Sequence, residues 1–160
     1  MTNTPAKRIA IVAAEFNKNL MEAMIKAATR EIEESGATLV RTLRVAGCYE
    51  TPLIADLQLA EEGLDALVVL GYIERGETLH GEVMGNVVHS ALVNLELKYR
   101  KPVGLGIIGP GATPEQAGLR KADYARAAVR AALRNLELMR DEEKSISRKG
   151  AKAQRKRRQD

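Results

Sequence analysis

The chain contains one cysteine, Cys48, and no tryptophan. A single cysteine excludes an intrachain disulfide and any cysteine-rich metal site. Aromatics make up only 3% of the residues, with Phe16 the sole phenylalanine. An aromatic at the end of a strand therefore carries more information than usual. No apolar run approaches the roughly 20 residues needed to cross a bilayer. The N-terminal MTNTPAKR leads into only a short apolar run without a typical cleavage site. A cytoplasmic protein is the plain expectation.

What is present is ordinary in amount and uneven in place. The 160 residues are 45% hydrophobic and 29% charged, one domain's worth with enough apolar material for a core. The net charge of +4 hides a division. Residues 1–143 carry 17 basic and 20 acidic side chains, and residues 144–160 carry 8 basic and 1 acidic. A mildly acidic domain, 1–143, thus precedes a basic tail, 144–160. The tail lacks apolar periodicity and is expected to be disordered.

Strands and helices alternate along the domain. Arg8–Ala14 and Ala66–Leu70 read as buried strands, and Val103–Ile108 as a third continuous apolar run ended by Gly109-Pro110-Gly111. Thr38–Val45 alternates apolar residues with threonines and arginines, as a strand near a sheet edge does. Helical spacing follows each strand. One helix begins after Asn17 or Asn19. A second has Thr51 at its N-cap and Pro52 at its first position. A third runs from His80 to about Tyr99, and a last from about Asp123 to Arg140. Thr113-Pro114-Glu115-Gln116 reads as a separate capped turn. This βαβαβαβα order predicts an α/β fold: a four-stranded parallel sheet with helices on both faces.

The stretch Val68–His80, VVLGYIERGETLH, joins a buried strand to a helix through a polar loop. Ligands of open α/β sheets sit beyond the carboxyl ends of the strands. His80 at this position suits proton transfer near neutral pH, although a lone histidine is more often structural. Gly76-Glu77-Thr78 offers N–H groups and a hydroxyl suited to an anion, or simply a helix cap. Arg120 and Lys121 follow a later loop and suit phosphate, or plain solvent exposure. Phe16 and Tyr49 each follow a strand, where aromatics either stack on a flat heterocycle or pack in the core. Cys48 has no evident histidine partner that would make it a nucleophile. Gly104-Leu105-Gly106-Ile107-Ile108-Gly109 fits a dinucleotide-binding string, but its glycines lie inside a strand rather than in a turn opening a helix.

Three blocks together, Glu15-Phe16-Asn17, Val45 through Pro52, and Gly71 through Gly76-Glu77-Thr78-Leu79-His80, resemble the 6,7-dimethyl-8-ribityllumazine synthases of riboflavin biosynthesis. Gly109-Pro110-Gly111-Ala112-Thr113, Gln116-Ala117 and Asp123-Tyr124 look like the archaeal branch of that family. The resemblance covers about residues 8–140. It departs at Ala46, Glu74 and Gly81, and near Arg120 and Lys121, where the chain is one residue longer than the archaeal pattern.

The resemblance implies a three-layer flavodoxin-like fold and a transferase. The reaction condenses 5-amino-6-ribitylamino-uracil with 3,4-dihydroxy-2-butanone 4-phosphate, without metal or organic cofactor. It implies Phe16 stacked on the pyrimidine and Cys48, Tyr49 and Glu50 along the ribityl-pyrimidine pocket. Tyr72 and Ile73 border the heterocycle, Glu77 and Thr78 supply the phosphate loop, and His80 transfers protons. Leu105 and Arg120 come from a neighbouring subunit, with either Arg120 or Lys121 on the phosphate. The implied assembly is a homopentamer, in some members packed into a sixty-subunit shell. Two other readings stand beside the enzyme. One is a shell-forming structural homologue with reduced or lost catalysis, whose basic tail binds polyanions. The other is a flavin carrier.

Overall fold

A computed structural model describes the backbone of residues 5–157 and the side chains of residues 5–150. Four parallel strands form one sheet: β1 (Arg8–Ala14), β2 (Thr38–Val45), β3 (Ala66–Glu74) and β4 (Val103–Ala112). Their spatial order is β2-β1-β3-β4, so the alternating strand β2 lies at an edge as its pattern predicts. β1 and β3 are central, and nearly every residue in them is buried.

The pleat sends successive side chains to opposite faces, and each face carries its own core. Ile9, Ile11, Val68, Leu70 and Tyr72 pack with α1 (Lys18–Glu34) and α4 (Pro114–Arg157). Ala10, Val12, Leu67, Val69 and Ile73 pack with α2 (Thr51–Leu59) and α3 (His80–Tyr99). The three layers and parallel sheet agree with the expected α/β class and with a flavodoxin-like fold.

The glycines of β4 serve packing, as their position within a strand implies. A Cβ at Gly104 would run into the Ala128 carbonyl, and one at Gly106 would lie 2.6 Å from Leu70 and 3.2 Å from the Ala128 Cβ. The alanine-rich face of α4 approaches the sheet through this gap.

Several boundaries differ from the sequence reading. β3 runs four residues past Leu70, and β4 continues through Gly109-Pro110-Gly111 to Ala112, which pairs with Glu74. Pairing with a neighbour decides such ends, and apolar content alone does not report it. Thr51 is not the cap of α2. A short 3-10 turn, Cys48–Glu50, precedes it, and the buried Thr51 hydroxyl donates to the Cys48 carbonyl at 2.7 Å. Leu79, not Thr78, precedes α3, with no side-chain cap. The Thr113–Gln116 turn is a true capping box, with reciprocal bonds of 3.1 and 3.3 Å, but it opens α4 rather than standing apart.

α4 is the largest difference. It continues as helix through the basic segment to Arg157, where disorder is expected from the sequence. No proline follows Pro114, and residues 144–157 are mostly lysine, arginine, alanine and glutamine, all good helix formers. Residues 158–160 lie outside the described residues.

Candidate functional site

Chain reversal at the sheet centre makes the site. From β1 the chain leaves to β2 on one side, while β3 lies on the other, so a crevice opens beyond the ends of β1 and β3. A bond of 2.7 Å from the Glu15 N–H to the Val45 carbonyl ties the exit of β1 to the end of β2. Phe16 follows, half-exposed, and its ring tilts over Tyr72 with centroids 6.2 Å apart at 34°. Ala46, Gly47 and Cys48 enter from β2, Tyr72, Ile73 and Glu74 from β3, and His80 and Met84 from the first turns of α3. Together they line a pocket of about 320 Å³.

Glu74 also lines an adjoining pocket of about 330 Å³, with Arg75, Gly76, Thr78, Leu79, Glu82, Pro110 and Gly111. A mostly apolar recess walled by aromatics thus stands next to a polar one bounded by the Gly76–Thr78 loop. Pro110 braces this second recess: a Cβ at Gly85 of α3 would lie 2.7 Å from its Cδ.

Two buried groups set the rigidity of the floor. The Tyr72 hydroxyl donates to the Ala112 carbonyl at 3.1 Å, and burial, with the Glu74 charge, pushes its pKa up. Tyr72 is therefore a neutral, anchored ring. The Cys48 thiol packs against the Tyr72 carbonyl and over Gly71, where any Cβ would lie 2.6 Å from Sγ. Burial, reinforced by the nearby Glu50 charge, pushes this thiol up to about 11, although the Tyr72 carbonyl contact acts the other way. A thiol held protonated is a poor nucleophile, so Cys48 serves as a wall.

Phe16, Cys48, Tyr72, Ile73 and His80 meet in the first pocket. Tyr49 reaches His80 from the side, with centroids 6.0 Å apart at 61°. Thr78 borders the second pocket, and its hydroxyl lies 3.4 Å from the His80 N–H. Glu50 and Glu77 are exposed and line neither pocket. Leu105 packs at the margin of the α2–α3 core, and Arg120 is exposed on α4. Neither borders these pockets within one chain.

The sequence reading did not single out Glu74 or Met84 as site residues. Met84 lies one helical turn beyond His80, so helical periodicity held its signal, whereas Glu74 enters the site only through the pairing of β3 with β4. His89, the second histidine, accounts for its ring within its own helix, with Nδ1 2.7 Å from the Gly85 carbonyl.

Residues 6–140 match the family model of 6,7-dimethyl-8-ribityllumazine synthase. The chain belongs to this family. It is similar to the 6,7-dimethyl-8-ribityllumazine synthase of Metallosphaera sedula, 38% identical over 133 residues, which are 83% of this chain and 88% of the relative. The counterpart from Staphylothermus marinus is 40% identical over 124 residues, 78% of this chain and 83% of its own. That from Pyrobaculum arsenaticum is 36% identical over 127 residues, 79% and 85% of the two chains. These relatives are archaeal, as the sequence blocks imply. Lumazine synthases are transferases of riboflavin biosynthesis, and the match spans the whole sheet, α1 to α3, and α4 as far as residue 140. Nothing favours a shell protein without catalysis.

Proposed function

We propose that the crevice beyond β1 and β3 condenses 5-amino-6-ribitylamino-uracil with 3,4-dihydroxy-2-butanone 4-phosphate. The amine attacks the ketone and water leaves as the imine forms. Phosphate is then eliminated, and ring closure expels a second water to give 6,7-dimethyl-8-ribityllumazine. The observation that carries this reading is the meeting of Phe16, Tyr72 and His80 in one pocket. A flat heterocycle fits the aromatic wall, and the imidazole stands where protons must move.

In this reading Phe16 stacks on the pyrimidine, and Tyr72 and Ile73 border it. Cys48 and Tyr49 line the ribityl side, and Glu50, exposed beside them, hydrogen-bonds the ribityl hydroxyls. Glu77 and Thr78 form the phosphate loop. His80 relays protons between the amine, the carbinolamine hydroxyl and the leaving groups. Much of the acceleration comes from holding two reactants together. Leu105 and Arg120, which border neither pocket within one chain, complete the site of a neighbouring copy, with Arg120 or Lys121 on the phosphate. A homopentamer follows, with a sixty-subunit shell as its larger form. Catalysis resides in residues 1–143, in the cytoplasm. No helix among the described residues is long and apolar enough to cross a membrane. The basic segment 144–160 adds polyanion binding that catalysis does not need.

Steady-state assays with both substrates, following lumazine absorbance and phosphate release, test the reading. The wild type turns over, and His80→Ala lowers kcat by about 10- to 100-fold without abolishing it, because positioning survives. No turnover by folded, assembled wild type would sink the proposal.

A further inference from the structure

Beyond Arg140, α4 leaves the core. Leu136 is the last buried residue of α4 among the described side chains, and from 141 to 150 all but the half-buried Ser145 are exposed. The helix nevertheless continues to Arg157. Residues 144–157 hold seven cations and no carboxylate, and the four-residue steps Lys144, Arg148, Lys152 and Lys156 are all basic. A helix rises about 1.5 Å per residue, so these positions span about 18 Å. Lys144, Arg148 and Lys149 border one shallow polar recess together with Asp141 and Ser145. None of the three forms an ion pair among the described residues.

We propose that this helical extension is a docking surface for the phosphate backbone of nucleic acid, read without regard to sequence. The inference rests on the polyanion reading above and narrows it to one partner. An anionic membrane fits poorly, because an interfacial helix needs a broad apolar face, and Ile146 is the only large apolar residue in 144–157. Base recognition or stacking is also missing, since the segment has no aromatic residue. What remains is a run of basic residues at four-residue steps along a continuous helical backbone. At one phosphate per about 3.4 Å of each strand, 18 Å covers about five phosphates. The acidic domain behind it repels the same polyanion and confines contact to the extension.

The test uses the full chain and a fluorescein-labelled 20-base-pair duplex of random sequence, at 50 and 200 mM salt. Four phosphate contacts give a slope of about −3.6 in log K against log salt, or about a hundredfold loss over this range. The variant Lys144→Glu/Arg148→Glu/Lys149→Glu binds at least tenfold more weakly at 50 mM salt and shows a shallower slope. Its lumazine formation stays unchanged, which also reports that the domain is folded. A second duplex of different sequence binds equally. Unaltered duplex binding by the variant would overturn the proposal. Competition by polyglutamate as strong as by unlabelled duplex would also overturn it, while leaving general polyanion binding intact. If neither duplex nor polyglutamate binds at 50 mM salt, both readings fall.

Discussion

Tyr49 and His80 meet edge to face, with ring centroids 6.0 Å apart and planes at 61°. The 3-10 turn after β2 thus supports the first turn of α3, and two loops from different strands fix one imidazole. Such aromatic contacts contribute about 0.5–1.5 kcal/mol. Tyr49→Ala should therefore lower kcat about 2- to 10-fold, whereas Tyr49→Phe, which keeps the ring, stays close to wild type. Steady-state kinetics of the two variants decide it. Equal losses would mean that the hydroxyl, not the ring contact, matters.

Phe16 leans over Tyr72 at 6.2 Å while remaining 49% exposed, so one face of its ring is open to a ligand. Stacking of a base on an aromatic contributes about 1–3 kcal/mol. Phe16→Ala should raise KM for the pyrimidine about tenfold and leave KM for the phosphate substrate nearly unchanged. Equal rises in both would argue for a collapsed pocket instead.

Gly71 has no room for a side chain because Cys48 Sγ would lie 2.6 Å from its Cβ. Overpacking of this kind costs about 1–3 kcal/mol. Gly71→Ala should lower the denaturation midpoint accordingly, and Cys48→Ala in the same chain should restore much of the loss. The coupling in a double-mutant cycle should exceed about 0.5 kcal/mol; additive effects would place the strain elsewhere.

Burial holds the Cys48 thiol protonated up to about 11, while an exposed thiol ionises near 8.5. Its folded pKa is raised, so this contribution to stability is complete below pH of about 8.5 and is lost as pH rises towards 11. Cys48→Ala should remove that part of the alkaline decline, measured by denaturant titration from pH 7 to 11. Alkylation of the native protein by iodoacetamide at pH 8 should run at least about a hundredfold slower than that of glutathione. Rapid alkylation would show an open or ionised thiol.

The candidate pocket is legible in the sequence where loop chemistry and strand ends coincide. Phe16, Tyr49 and His80 each follow a strand closely, and in a parallel sheet such positions gather at one end. Glu74 has no such signal, because the local apolar run ends at Leu70. Gly71, Tyr72 and Glu74 at the end of β3 pair with β4, and a partner strand distant in sequence leaves no local mark. The same holds for Pro110 and Gly111, which look like the end of β4 yet run on to border the recess beside the Gly76–Thr78 loop.

Local patterns by themselves determined the order of strands and helices, the edge position of β2, the capping box at Thr113 and Gln116, and the blocks that mark the family. These rest on periodicity, capping and loop chemistry, which act over a few residues. Only the tertiary structure decided that Cys48 is a protonated wall, that Thr51 turns inward to its carbonyl, and that Tyr49 braces His80. Those outcomes depend on burial and on contacts between segments 20 or more residues apart, or on the direction in which a hydroxyl turns. The basic segment joins both kinds. Its charge is written in the sequence, but its continuity with α4 follows from the helix that the packed domain nucleates and the segment need only extend.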